Sequence, residues 1–505
     1  CHLSLGWGQC PVRVTRASDK VSSVEEIGQN SAGQGLLPMP LLLARSTGHV
    51  ARSTDSMANG KPVMTPQPRS IRLLLIVSLS IIFLASSIPT LVHAGSDPPR
   101  NYGCQLRIRQ VYLDNAIDLN DKEDDQKHFF RIRCALWGRY RVRPSIEVYA
   151  RLNNEFRYYF HPDVDFEISE IVFENLYLRW TDAGGLPLDL AIGRQNIMLG
   201  EGFLIMDGAP LAGSQMIYHN AVRATLKTRS GNIDLLAISN PRTDRYLPVI
   251  NDQDRSLVES DEALYGIHVS CTHLHGTEIQ PYYFHKTEDP SILASRELKL
   301  HTFGMRLSHD LRSGDRAVVE AAVQSGKRGN DDVSASGVHA YLEMQIGDGG
   351  HSATLGVLRL SGDHDNTCEG WNPLLSRWPK WSELYIYTLI REGGVAKWRN
   401  VSSFFVKTHH PLGQLGTFSI RLHNFFASEQ AVFLTSVFRG WNLQGEVKFR
   451  LHARVTGHVL AETFVPHVPA AEPFVPLDCY PPPGHPAGYG RSKAVFLRWE
   501  LLVDL

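Results

Sequence analysis

FFRIRCALWGRYRVRPSIEVYARLN, residues 129–153, alternates so strictly that two opposite environments are legible in it. Phe130, Ile132, Cys134, Leu136, Tyr140 and Val142 are apolar or nearly so, while Arg131, Arg133, Arg139, Arg141 and Arg143 between them are cationic. After Pro144 the pattern resumes, with Ile146, Val148, Ala150 and Leu152 on one side and Glu147, Tyr149, Arg151 and Asn153 on the other. Successive side chains of an extended strand point to opposite faces, so a period of two predicts a hairpin of long strands.

A soluble sheet also alternates, but its polar face seldom gathers this many arginines without an acid among them. Arginines two apart on one face stand about 6.8 Å from each other. Their repulsion must be offset by acids on neighbouring strands, by counterions or by a polyanionic ligand. The apolar face then meets either a core or lipid.

The chain has 505 residues, 51 basic and 52 acidic, and its mean hydropathy of -0.18 excludes a polytopic helical membrane protein. One run, from Leu73 to Ile88, is apolar enough to enter a bilayer as a helix, and it is short for a span. Arg69 and Arg72 precede it and Val92-His93-Ala94 follows, which predicts a secretory signal peptide over 64–94, starting at Met64 or Met57 and cleaved after Ala94. Residues 1–63 are expected to be an unstructured or upstream-translated extension. Removing everything before Gly95 takes away eight basic and four acidic residues, so the arginines of the hairpin are a local concentration on a mildly acidic background. Cys104, Cys134, Cys271, Cys368 and Cys479 remain, an odd number that matches no zinc or haem spacing. Cys104 and Cys134 fall on the apolar faces of adjacent candidate strands, where an oxidising compartment permits a cross-strand bridge.

Strand-like runs recur throughout. Cys104–Tyr112 and Leu188–Arg194 alternate clearly. Further runs are Ala221–Arg229, Ile233–Ser239, Leu264–Cys271, Leu298–Leu307, Ala317–Gln324, Val338–Ile346 and Ala353–Leu360. Trp398–Lys407, Thr417–Asn424, Gly445–Ala453, His458–Phe464 and Ala494–Leu501 follow. Short joints alternate with long polar segments such as Asn240–Asp261 and Ser361–Trp381, the pattern of an outer-membrane barrel. So much strand cannot leave open edges in lipid, which makes a closed antiparallel barrel the expected fold. A propeller or solenoid would repeat at a fixed period, and no such repeat is present. Aromatics near strand ends suit an interfacial girdle: Phe156, Tyr158, Tyr159, Phe160, Trp180, Tyr282, Tyr283, Phe404, Phe405, Phe425 and Phe426.

No HExxH, GxSxG, P-loop or dinucleotide fingerprint occurs, so neither an enzyme nor a cofactor is expected. His409-His410 and the His273/His275 pair lack a third metal ligand at sensible spacing.

Two segments carry a family resemblance. Gly193-Arg194-Gln195-Asn196-Ile197-Met198-Leu199-Gly200-Glu201-Gly202-Phe203, continuing to Asp207-Gly208, is similar to a segment of the alginate export family. Trp371-Asn372-Pro373 through Arg377-Trp378-Pro379-Lys380-Trp381-Ser382-Glu383-Leu384 resembles a loop of the same family, and Arg439-Gly440-Trp441-Asn442 with Gly457–Glu462 also fits. The chain departs from common outer-membrane usage in finishing Leu501-Leu502-Val503-Asp504-Leu505 rather than on an aromatic, and in the proline-rich stretch Pro466–Tyr489.

The resemblance implies a monomeric barrel of about eighteen strands in the bacterial outer membrane. Its lumen would carry an alginate-like polyuronate by passive, anion-selective transport, in contact with outer-membrane lipid and with periplasmic export machinery. The lumen cations are expected to be Arg107, Arg109, Arg131, Arg133, Arg139, Arg141, Arg143, Arg151 and Arg194, with Glu147 and Glu155 as interspersed acids. Arg194 is expected to point inward, its neighbours Gly193 and Gly200 letting backbone bend or approach closely. An uptake porin for small acidic nutrients is the alternative, and an outer-membrane enzyme a more distant one. No nucleic-acid partner is expected.

Overall fold

The computed structural model describes residues 101–505 apart from 117–118, 123, 165–170, 207–218, 249–257, 259, 273–274, 291–295, 312–313, 363–369, 377–380, 385–398, 430–436 and 468–490. The expected extension and signal peptide, Cys368 and Cys479, Asp207-Gly208 and Arg377–Lys380 lie outside the described residues.

The first nine strands are β1 (Tyr102–Asp114), β2 (Lys127–Arg143), β3 (Ile146–His161), β4 (Ile171–Trp180), β5 (Leu188–Gln195), β6 (His219–Thr228), β7 (Gly231–Asn240), β8 (Glu262–Cys271) and β9 (Thr277–Glu288). The other nine are β10 (Leu298–Asp310), β11 (Arg316–Arg328), β12 (Asp331–Ile346), β13 (His351–Leu360), β14 (Val401–Pro411), β15 (Gly416–Phe426), β16 (Phe438–His452), β17 (Val455–Pro466) and β18 (Ala494–Asp504). Each pairs antiparallel with its neighbours in sequence. β1 also pairs with β18, from Gln105 opposite Asp504 to Asp114 opposite Val495, so one 18-stranded sheet closes on itself. Connections after even-numbered strands are short, as at Pro144-Ser145 and Ala453-Arg454. Those after odd-numbered strands are long, the β11–β12 turn at Gly329-Asn330 excepted. The barrel therefore has a short-turn end and a long-loop end, which in bacterial outer-membrane proteins face the periplasm and the exterior respectively.

β11 illustrates what each face meets. Glu320 and Gln324 are buried at 4% and 3% exposure, while Val319 and Val323 stand 44% and 58% exposed. This inverts the pattern of a soluble protein. Polar groups line the inside, and a belt that includes Leu136, Ile192, Phe303, Leu355, Phe404 and Leu443 faces outward, as hydrocarbon requires.

Two strands, β4 and β9, are absent from the sequence-derived runs. In β9, Pro281 argues against a central strand because it cannot donate to a ladder. The β8–β9 register skips Val269, Ser270, Gln280 and Pro281, so the missing donor falls where pairing is interrupted. In β4 the alternation is blurred by a register shift at Arg151/Leu152 that buries both Glu174 and Asn175. The aromatic girdle is narrower than expected. Phe160, Trp180 and Phe404 are exposed, but Tyr282 and Phe425 are buried inside and Phe405 lines an interior cavity. Adjacent aromatics such as Phe404-Phe405 alternate on a strand and cannot both face lipid. Cys104 and Cys134 are both free thiols, since register sets Cys104 opposite Leu136 and Cys134 opposite Leu106.

Replacing outward-facing Val323 by arginine is expected to destabilise the barrel by about 2–4 kcal/mol if that position lies near the bilayer midplane. Reversible denaturant unfolding in lipid vesicles measures it, and a cost near zero would place this face in water.

Candidate functional site

The wall built by β18, β1, β2, β3 and β4 carries the arginines read from the sequence. Arg107 stands directly opposite Arg133, and Arg109 opposite Arg131. Like charges in register repel, and three glutamates set between them offset this. Glu155 lies 3.0 Å from Arg107 and 3.5 Å from Arg131. Glu174 lies 2.6 Å from Arg151 and 3.8 Å from Arg133, and Glu500 lies 2.6 Å from Arg109 and 3.8 Å from Arg107. Gln105 accepts from both Arg133 and Arg151. Of the acids, only Glu155 stood out in the sequence. Glu174 belongs to the unread strand β4, and Glu500 could have been found by continuing the alternation of β18 against β1.

Toward the short-turn end the wall changes. Arg139 is half-buried and Arg141 and Arg143 are exposed, with no acid in ion-pair range of any of the three among the described residues. Glu147 is in register with Arg141.

Arg194 departs from expectation. Register sets it opposite Leu176 and Asn220, on the side of the sheet that carries exposed Ile192 and Val222, not on the lumen side. It is nonetheless buried. Its guanidinium grips Asp244 of the β7–β8 connection through two bonds of 2.8 and 2.7 Å and also donates to Asn220 and the Phe173 carbonyl. Gly193 does permit close approach, since a Cβ there would lie 2.3 Å from the Leu176 carbonyl oxygen.

The two segments that carry the family resemblance meet inside the barrel at its long-loop half. Leu199, Phe203, Leu204 and Ile205 after β5, and Trp371, Leu374, Leu375 and Leu384 after β13, form one apolar cluster. Leu113, Ile238, Phe284, Leu360 and Phe496 join it from strands around the circumference. Leu375 N–H donates to the Leu204 carbonyl at 3.0 Å, Ser376 Oγ donates to the Gly202 carbonyl, and the Phe203 and Trp371 rings lie 5.2 Å apart.

This plug is latched to the wall by polar groups. Fully buried Lys286 reaches Glu288 at 2.6 Å, Glu262 at 3.1 Å and the Leu374 carbonyl at 2.7 Å. Gln324 exchanges two bonds with the Asn372 backbone. Glu201 accepts from Arg306 at 2.8 Å and Tyr341 at 2.6 Å. Glu462 accepts from Ser382 and from the Glu383 and Leu384 amides, and Glu383 pairs with Arg498 at 2.6 Å. Burial opposes ionisation of the Glu201 carboxyl, but hydrogen bonds from Tyr341 and Arg306 outweigh it and hold the group below its ordinary range. For Glu383, burial is likewise overcome by Arg498.

Of the histidines considered for metal, His410 faces His351 at 3.1 Å, and no cluster of three or more ligands forms among the described residues.

A closed barrel with a lipid-facing apolar belt, a charged interior and an internal plug is the architecture of a bacterial outer-membrane channel. The chain belongs to the alginate export family, whose profile, described as Alginate export, matches residues 99–368. Among solved structures it is similar to OccK3 (OpdO) of Pseudomonas aeruginosa, with TM-score 0.51 and 10% identity over 80% of this chain and 96% of that one. It is also similar to OccK2 (OpdF) of the same organism, with TM-score 0.50 and 10% identity over 80% of this chain and 98% of that one. At such identity the likeness is one of fold. No curated protein sequence matches the chain.

Because both plug carboxyls are held below their unfolded values, their contribution to seating the plug is full above the ordinary carboxylate range. It is lost as pH falls through the lowered folded values. Single-channel conductance in planar bilayers is expected to rise as pH is taken from about 7 to about 3. A Glu201→Gln/Glu383→Gln variant is expected to start high and stay flat. A wild-type conductance independent of pH would show that these carboxyls do not hold the plug.

Proposed function

We propose that this channel passes an anionic polysaccharide of the polyuronate type outward by passive, anion-selective transport. Arg107, Arg109, Arg131, Arg133, Arg139, Arg141, Arg143 and Arg151 serve as the cations and Glu147 and Glu155 as interspersed acids. The observation that carries this reading is the excess of arginine along one wall, running from the paired ladder at mid-barrel to Arg139 and Arg141 toward the short-turn mouth, which have no acid in ion-pair range among the described residues. Guanidinium suits carboxylate because it can pair through two parallel bonds. Acids among the cations keep each contact weak enough to release the polymer. The free cations stand at the end that faces the periplasm, where an exported polymer arrives. The driving force is then the polymer's own gradient or the periplasmic synthesis machinery.

A second reading, uptake of small acidic nutrients, draws support from the seated plug. Beneath it a cavity of about 640 Å³ opens near the short-turn end, within the range of small-molecule sites.

Reversal potential in a salt gradient tests selectivity. The Arg139→Gln/Arg141→Gln/Arg143→Gln variant removes cations that hold no buried acid, and it is expected to shift the potential toward cation preference. No shift would overturn the selectivity assignment. Current block by uronic-acid oligomers but not by monosaccharide acids favours export of a polymer, and the reverse favours nutrient uptake.

A further inference from the structure

Between the ladder and the short-turn mouth, three aromatic rings form a strip across the lumen side of β2, β3 and β4. The Trp137 and Tyr149 rings are stacked with centroids 6.4 Å apart and planes 25° from parallel, and Tyr149 and Tyr177 follow at 5.3 Å and 35°. Bare backbone makes room for the first ring. Gly103 is in register with Trp137, and a Cβ there would come within 2.8 Å of the indole, so only glycine lets the ring lie over β1. Tyr177 is likewise in register with Gly193.

Cations edge this strip. The Arg139 guanidinium lies 5.6 Å from the Trp137 ring centroid, and its buried Nε has no hydrogen-bond partner among the described residues. Beyond Tyr177 the strip opens into the 640 Å³ cavity, lined by Tyr149 and Tyr177 together with Arg179, Arg223, Lys227 and Asp189. Three of these lining side chains are cationic and one is acidic. Arg223 is engaged by Asp234 at 2.9 Å, and Lys227 by Asp189 at 2.7 Å and Asp182 at 3.1 Å. Arg179 reaches Asp189 only at 3.7 Å and remains more than half exposed.

We propose that Trp137, Tyr149 and Tyr177, with Arg139 and Arg179, form a sugar-binding subsite at the short-turn mouth, specific for an acidic pyranose. The proposal rests on the reading of the channel as a polyuronate pathway and names where the polymer is first held. A pyranose ring has an apolar face of C–H groups that covers an aromatic ring, while its carboxylate and hydroxyls lie at the rim. A platform of consecutive rings takes consecutive sugars with little regard to register, which suits a polymer that must slide. The Arg139 and Arg179 guanidiniums, at the edges of the strip, then meet the carboxylates. A channel for simple anions needs the cations and has no use for the rings.

The test uses the full chain in planar bilayers, with a uronic-acid trisaccharide, the neutral trisaccharide of the same linkage, and glutarate as probes. Each is added on the short-turn side. The acidic trisaccharide is expected to interrupt the current at lower concentration than either of the others. Tyr149→Leu and Tyr177→Leu are each expected to weaken its binding about tenfold, the loss of one good aromatic contact. Tyr149→Phe keeps the ring and is expected to keep the binding. Arg139→Gln is expected to weaken the acidic trisaccharide and leave the neutral one as it was. Heat-modifiable gel mobility verifies that each variant barrel is folded. Leucine variants that bind the trisaccharide like wild type, a Phe variant as weak as the Leu one, or glutarate binding that falls in parallel would each overturn the subsite. Reversal potential is recorded alongside. A wild type without anion preference that still binds the trisaccharide through Tyr149 and Tyr177 would refute the selectivity reading and leave the subsite standing.

Discussion

Hydrocarbon offers no partner to a backbone N–H or C=O, so an open sheet edge cannot persist in it, and the pairing of β1 with β18 is the constraint on which everything else here depends. Once the ring closes, each strand has one face committed to lipid and one to an interior that lipid cannot reach. The alternation of residues 129–153 then has only one orientation, with the apolar side out. A slip of one residue would present Arg131 and Arg133 to the bilayer, at a cost of several kcal/mol for each charge near its midplane.

Closure also sets the electrostatics of the wall. Arg107, Arg131 and Arg133 are almost fully shielded from water, and cations in such surroundings persist only with acids close by. Glu155, Glu174 and Glu500 supply them, each shared between two arginines. The ladder at mid-barrel is thus a braced structure. Arg139, Arg141 and Arg143, which have no acid in ion-pair range among the described residues, stand nearer the short-turn mouth, where water screens them.

The interior is divided by what fills it. Its long-loop half is apolar and packed like the core of a soluble domain, around segments from two loops far apart in sequence. Its short-turn half is polar and contains the cavity beside Tyr149 and Tyr177. The two segments that carry the family resemblance therefore form the plug and its latches, whereas the arginines of the first hairpin lie on the wall below.

The chain by itself determined the barrel, because a period of two is a local property that each strand writes into its own residues. It also marked Arg131 and Arg133 as one face of the first hairpin, which the structure buries, but not the register shift that sets Arg143 opposite Ile146. It could not show β9, where Pro281 is tolerated only because β8 leaves that stretch unpaired. Nor could it show that Tyr282 and Phe425 turn into a core, since a ring suits a membrane interface and a packed interior equally well. Arg194 is the clearest case. Its glycine-flanked motif marked it, but Asp244, which holds it, comes from a loop whose position only the closed ring fixes. Partners brought together by closure, such as Arg109 with Glu500 or Glu201 with Arg306, are separated by long stretches of chain, and no local pattern encodes them. Tertiary structure alone decided which charges brace the wall and which, among the described residues, stand without an acid in ion-pair range.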